Sequence, residues 1–124
     1  MHGFYAECQL LYGHFGVWNL CNEVFDLLPM AALIDRETFS VHGGISPDIA
    51  LIDKINSISR NSEIPTTGPF CDLTWSNSRG AGYLFGEKQT EEFLHLNDLK
   101  LVTRSHQLAI EGYQWFFNQK LVIV

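Results

Sequence analysis

Apolar residues in the first thirty positions recur at the three- and four-residue spacing of amphipathic helices. The first apolar stripe consists of Phe4, Cys8, Leu11 and Tyr12, and the second of Val17, Leu20, Cys21, Val24, Phe25 and Leu28. Gly13 follows the first stripe and Pro29 the second, and both residue types commonly end helices. The pattern therefore predicts two helices in succession.

Short apolar runs bounded by turn residues predict β-strands in the rest of the chain. The first two runs flank a turn at 35–37, and the last two flank Asn118-Gln119. Each of these pairs is expected to form a hairpin, so we expect a mixed α/β domain with antiparallel pairs. The predicted strands are 31–34, 38–41, 99–103, 113–117 and 120–124.

Further helices are predicted between the strands. Ser46-Pro47 resembles a helix start, with Ser46 as the cap, and four isoleucines spaced three apart follow it. We assign these isoleucines to the core; they are Ile49, Ile52, Ile55 and Ile58. Positions 90–95 predict a short helix with Phe93 and Leu94 facing inward. Positions 61–68 predict a loop, and 71–75 fit a helix or a strand equally well.

Composition limits the classes of protein to which the chain can belong. Its 124 residues are 46% hydrophobic and 18% charged, which is typical of one globular domain. The net charge of −6, with 8 scattered basic residues, argues against nucleic acid as a main partner. No apolar run approaches the roughly 18 residues of a membrane span. Cys8, Cys21 and Cys71 lack metal-knuckle spacing, so we expect reduced thiols and a cytoplasmic or nuclear location.

Two histidines stand at the ends of predicted strands. His42 ends the second strand and precedes two glycines, which would leave room for a ligand near the backbone. His106 follows the third strand, and the pair Arg79-Gly80 lies between them in sequence. Imidazoles bind metal ions and guanidinium groups bind phosphate, so these residues suggest a metal and phosphate site. On the residues alone, core or capping histidines and a surface arginine remain open alternatives.

Several aspartates are also available as metal ligands. The pattern assigns them rather to turns, caps and helix ends. They are Asp35, Asp53, Asp72 and Asp98.

An ordered series of segments resembles the catalytic subunits of the phosphoprotein Ser/Thr phosphatases. The segments are 3–8, 25–29, 41–47 with His42-Gly43-Gly44, 79–86, and Arg104-Ser105-His106-Gln107 with 111–113. The resemblance is strongest to the protein phosphatase 2A-like group. Within that group, 31–35, 60–65 and 96–101 look most like the branch of the protein phosphatase 6 catalytic subunits.

The resemblance implies a fold, a chemistry and a set of partners. The fold would be part of a calcineurin-like β-sandwich with flanking helices, and 1–124 the central and C-terminal part of one catalytic domain. Two divalent ions (manganese, iron or zinc) would activate a water that attacks phosphoserine or phosphothreonine. His42 and His106 match two ligands of the same ion, and Arg79 matches an arginine that clamps the phosphate. The implied partners are phosphoprotein substrates and regulatory or scaffold subunits, with no nucleic acid and no membrane.

Some motifs of the resembled family have no counterpart in this sequence. They are Gly-Asp-x-His-Gly, Gly-Asp-x-Val-Asp-Arg-Gly, Gly-Asn-His-Glu and Ser-Ala-Pro-Asn-Tyr. The first three supply the carboxylate ligands and the general-acid histidine, so we assign no catalytic residue here. Only 76–78 separate Trp75 from Arg79, where the family has a longer acidic loop. We expect a chain truncated at both ends and inactive by itself; the alternative is a non-catalytic remnant that binds phosphatase regulatory subunits.

Overall fold

The computed structural model describes residues 3–60, 62–76 and 83–124. Within these ranges the chain combines helices and short strands, in line with the predicted mixed α/β domain. The helices are α1 (Phe4–Tyr12), α2 (Gly16–Leu27), a 3₁₀ helix (Ile52–Ser57), α3 (Pro69–Trp75) and α4 (Glu87–Leu96). The strands are β1 (Ala31–Ile34), β2 (Thr38–Val41), β3 (Leu101–Arg104), β4 (Gln114–Phe116) and β5 (Leu121–Ile123).

The five strands form one mixed sheet in the order β1-β2-β3-β5-β4. Both predicted hairpins are present, because β1 pairs antiparallel with β2 and β4 with β5. The two central pairings, β2 with β3 and β3 with β5, are parallel, which the expectation of antiparallel pairs did not include. Val41 lies opposite Arg104 in the β2–β3 register, so these two strands end at the same edge of the sheet.

The core lies between the sheet and α4. Phe39 of β2 and Val102 of β3 are 1% and 0% exposed, and both lie on the covered face. The Phe39 ring packs against Phe93 of α4, with ring centroids 5.1 Å apart. The prediction that Phe93 and Leu94 face inward is confirmed, since both are buried. This packing fixes β2 and β3, the strands that lead into the two histidines.

The isoleucine segment differs from its prediction. No helix begins at Ser46; the helical part is the 3₁₀ helix that begins at Ile52. A spacing of three matches the three-residue turn of a 3₁₀ helix better than the 3.6-residue turn of an α-helix. The core assignment holds, because Ile49 is buried in the core and the other three isoleucines pack against it.

The α1–α2 pair leaves much of its apolar surface exposed. The two helices contact each other, as in the edge-to-face pair of Tyr5 and Trp18 with centroids 5.4 Å apart. Leu10, Leu11 and Leu27 are nevertheless 74–85% exposed. None of the described helices is long and apolar enough to cross a membrane. The three cysteines are free thiols, as expected.

Candidate functional site

The two strand-end histidines meet at one edge of the sheet. His42 directly follows β2, and His106 lies two residues beyond β3. The Nε2 atom of His42 lies 3.2 Å from the Nδ1 atom of His106. The ring centroids are 5.2 Å apart and the ring planes cross at 72°. The parallel pairing of β2 and β3 therefore joins two side chains that are far apart in sequence.

A third ring completes the cluster. Trp75, the last residue of α3, packs edge-on against His106 with centroids 5.0 Å apart. His106 has a positive φ of 63°, in the left-handed region that few non-glycine residues adopt. Sequence reasoning missed Trp75, because it stood in a segment whose secondary structure was ambiguous.

The imidazole pair fits one divalent metal ion. Two nitrogen ligands, each about 2.0–2.1 Å from the same ion, lie roughly 2.9–3.4 Å apart in tetrahedral or octahedral geometry. The observed separation of 3.2 Å between Nε2 and Nδ1 falls within that range. The pair thus suits two positions of a coordination shell, and the assignment of His42 and His106 as metal ligands stays a prediction.

Further ligands do not come from the described part of the chain. Over 3–60, 62–76 and 83–124, no group of three or more His, Cys, Asp or Glu side chains could hold a metal ion. Asp35 and Asp98 have left-handed φ values of 52° and 53°, as expected for turns. Asp72 is buried, where it accepts hydrogen bonds from the Ser46 hydroxyl at 2.7 Å and the Tyr83 amide at 3.1 Å. Arg79, the predicted phosphate ligand, lies outside the described residues.

The two glycines after His42 make room for the protein itself rather than for a ligand. A Cβ on Gly43 would lie 2.5 Å from the Thr74 carbonyl carbon and the Trp75 nitrogen, both backbone atoms of α3. A Cβ on Gly44 would lie 2.3 Å from the Phe85 ring. The Gly43 amide donates to the Leu73 carbonyl oxygen at 2.8 Å. Gly43 therefore lets α3 approach the end of β2, and Gly44 leaves space for the Phe85 ring.

The surroundings of His42 favour its neutral form. Partial desolvation by the surrounding protein is the main cause that lowers the pKa of His42, and His106 and Arg104 lower it further. A neutral imidazole has a free lone pair and is the form that ligates metals.

Arg104 is a site residue that the sequence reasoning did not single out. It ends β3, is 3% exposed, and its burial lowers the pKa of the guanidinium from its usual value. Its Nη2 donates to the Ser76 carbonyl oxygen at 3.1 Å, its Nε to the Gly43 carbonyl oxygen and its Nη1 to Gln107 Oε1. Its position in the Arg-Ser-His-Gln segment, two residues before His106, could have indicated that it belongs to the site.

A cleft of about 580 Å³ opens beside His42. Its walls come from α2, α3 and the segment around Arg60, and its size is within the roughly 300–1,000 Å³ of small-molecule sites. Arg60 stabilises this wall, because it donates to the Phe25 carbonyl oxygen at 3.3 Å and to the Leu28 carbonyl oxygen.

Comparison with known proteins identifies the family of the chain. Residues 2–109 match the profile of the calcineurin-like phosphoesterases. The chain belongs to this family. A solved protein serine/threonine phosphatase of Saccharomyces cerevisiae, described as similar to the human phosphatase PP5, superposes with a TM-score of 0.86 at 30% sequence identity. The match covers 100% of this chain and 42% of the yeast chain, so the chain spans less than half the length of that relative.

Membership of the calcineurin-like phosphoesterases confirms the predicted fold class, a mixed α/β fold of that type. The described residues contribute a single five-stranded sheet to the implied sandwich. Metallophosphoesterases use divalent metal ions, so the family also implies a metal cofactor. The extent of the catalytic domain over 1–124 stays a prediction.

Proposed function

We propose that these residues belong to a protein serine/threonine phosphatase of the protein phosphatase 2A-like group, nearest to the protein phosphatase 6 branch. The observation that carries the proposal is the 3.2 Å approach of His42 Nε2 to His106 Nδ1 at one edge of a calcineurin-like fold. The yeast serine/threonine phosphatase with the same fold supports the choice of a phosphorylated serine or threonine as substrate.

In this proposal the described residues hold and orient one half of a two-metal site. The imidazoles of His42 and His106 would bind one divalent ion (manganese, iron or zinc). Bound divalent ions lower the pKa of a water and neutralise phosphate charge in such sites. The edge-on Trp75 ring limits the orientations open to His106. Arg79, by its motif, would bind the substrate phosphate in a bidentate manner.

The 124 residues alone are proposed to lack phosphatase activity. The sequence contains none of the three motifs that supply the carboxylates and the general acid in the resembled family. Loss of a general acid alone typically costs about 10²–10⁴ in rate. The purified chain should therefore leave a phosphoserine peptide intact when Mn²⁺ is added. Turnover by a preparation free of other phosphatases would overturn this part of the proposal.

A chimera tests the function itself. The 124 residues would replace the matching 42% of the yeast phosphatase, and the rest of the yeast chain would be kept. The chimera should hydrolyse a phosphoserine peptide in the presence of Mn²⁺, and His42→Ala should reduce the rate at least about tenfold, as expected for a lost metal ligand. His95→Ala is the matched control, because His95 is an exposed histidine of α4 away from the rings. A folded chimera without activity, or equal rates for both variants, would contradict the proposal.

The second candidate is a non-catalytic protein that binds phosphatase regulatory subunits. The exposed apolar side chains of α1 and α2 favour it, because large exposed apolar patches mark interaction surfaces. An inactive chimera together with binding of the chain to a purified regulatory subunit, abolished by Leu10→Glu and Leu11→Glu substitution, would support this candidate. Under either candidate we propose phosphatase regulatory or scaffold subunits as partners and a cytoplasmic or nuclear location.

A further inference from the structure

The buried guanidinium of Arg104 connects three separate segments of the chain. Its Nε donates to the carbonyl oxygen of Gly43 at the end of β2, and its Nη2 to the carbonyl oxygen of Ser76, directly after α3, at 3.1 Å. Its Nη1 donates to the side chain of Gln107 in the turn that follows β3. Each of these three segments carries one ring of the candidate site.

The three acceptors have a common relation to the rings. Gly43 is the next residue after His42, and Ser76 is the next residue after Trp75. Gln107 is the next residue after His106. Arg104 therefore donates a hydrogen bond to the residue that follows each ring of the cluster. The backbone adds a fourth link, because the Ser105 amide donates to the His42 carbonyl oxygen at 3.2 Å.

Arginine suits this task better than any other residue type. Its planar group presents donors in several fixed directions, whereas lysine has a compact ammonium on a flexible stem. Arg104 is 3% exposed, and no carboxylate of the described residues forms an ion pair with it. Burial of a charge among neutral acceptors is costly, so stability alone is a poor reason for it. The contribution of the guanidinium is therefore its three hydrogen bonds in fixed directions.

We propose that Arg104 is a positioning residue that holds the imidazoles of His42 and His106 at the separation a single divalent ion requires. It does so through hydrogen bonds to Gly43, Ser76 and Gln107, and it does not touch the ion. The inference rests on the proposed metal site, but what it explains is an observed distance, the 3.2 Å between His42 Nε2 and His106 Nδ1.

Two measurements on the full 124-residue chain test the inference. The first is the nuclear Overhauser effect between the His42 and His106 rings in metal-free protein. The second is the affinity for Zn²⁺ alone, by calorimetry. Arg104→Lys should abolish the Overhauser effect between the rings and weaken Zn²⁺ binding about 10–100-fold, the usual effect of losing a group that orients metal ligands.

Val102→Ala is the matched control for general destabilisation. Val102 is a fully buried residue of β3 whose side chain packs in the core. This variant should melt at a lower temperature but retain the Overhauser effect and bind Zn²⁺ within about threefold of wild type, which is less than 1 kcal/mol. Gln107→Ala removes only one of the three acceptors, so it should remain folded and bind Zn²⁺ several-fold more weakly.

The outcomes separate the inference from the proposed metal site. A wild-type Overhauser effect that persists in Arg104→Lys overturns the inference, as does an equally weakened effect in Val102→Ala. If the lysine variant does not fold, an unchanged Overhauser effect and affinity in Gln107→Ala overturn it. A wild-type chain that shows the Overhauser effect but does not bind Zn²⁺ refutes the metal site alone. Absence of the effect in the wild-type chain overturns the inference, whatever the affinity for Zn²⁺.

Discussion

Substitution of Gly43 by alanine distinguishes two explanations of the glycines after His42. If the glycines leave space for a ligand, the added methyl group would weaken metal binding without a change in stability. If they leave space for α3, the methyl group would destabilise the fold. The structure favours the second explanation, because the new Cβ would lie 2.5 Å from the Thr74 carbonyl carbon and the Trp75 nitrogen.

The magnitude follows from the overlap. Carbon atoms pack at about 3.5–4.0 Å, so the end of β2 and α3 would have to separate by roughly 1 Å. The atoms in the way belong to the backbone and cannot rotate aside. Overpacking of this kind costs about 1–3 kcal/mol. At this chain length, each kcal/mol corresponds to roughly 3–5 °C, so Gly43→Ala should lower the melting temperature by about 3–15 °C.

Thermal melts followed by circular dichroism measure this effect, with Zn²⁺ affinity recorded on the same samples. Gly86→Ala is the control, because its Cβ would lie 3.5 Å from Gln89 Oε1, an ordinary contact, and its cost should stay below about 1 kcal/mol. A Gly43→Ala chain that melts within about 1 °C of wild type and binds Zn²⁺ weakly would refute the reasoning and restore the ligand explanation.

Three further predictions concern the core and the site. Asp72→Ala leaves the Ser46 hydroxyl without its acceptor and the Tyr83 amide with Ser76 Oγ alone, so urea unfolding should show a loss of about 1–3 kcal/mol in the free energy of unfolding; a loss below that of Ser46→Ala would contradict the network. Phe39→Ala should lower the free energy of unfolding by about 3–5 kcal/mol. Leu33→Ala on the exposed edge strand should lower it by less than about 1 kcal/mol, and similar losses for the two variants would argue against the described core. The pKa of His42 is lowered in the folded chain, so the unfolded chain takes up a proton first as the pH falls below about 6.5. The stability that neutral His42 contributes is thus present above that pH and lost below it. In urea titrations with EDTA the wild type should therefore lose more stability on acidification than His42→Ala. Parallel pH profiles of the two proteins would contradict a lowered pKa of His42 in the folded chain.

Much of the local structure could be predicted from the pattern of residues. Apolar runs between turn residues located all five strands to within two residues at each end, because strand and turn preferences act over a few neighbours. Helices α1, α2 and α4 followed from apolar spacing for the same reason. The isoleucine segment was assigned to the wrong kind of helix, because a spacing of three over a short stretch fits either helical period.

The candidate site was predictable in its two histidines but not in its surroundings. His42 and His106 could be named from their motifs, and their meeting depends on the parallel pairing of β2 with β3. Trp75 and Arg104 were not identified, since their roles depend on contacts with segments distant in sequence. The missing side chain of Gly43 was correctly expected to leave space beside the backbone. The space is occupied by α3 and not by a ligand.

The sequence by itself determined the strands and most of the helices, part of the core and the two histidines that stand at strand ends. These features depend on the chemistry of each residue and of its near neighbours. The tertiary structure alone decided which strand ends share an edge, that α3 fills the space beside Gly43, and that Arg104 links three segments. Strands β2 and β3 are only four residues long, too short for their own apolar pattern to indicate a parallel or an antiparallel neighbour. The direction of pairing, and with it the meeting of the imidazoles, is therefore settled by packing between distant parts of the chain.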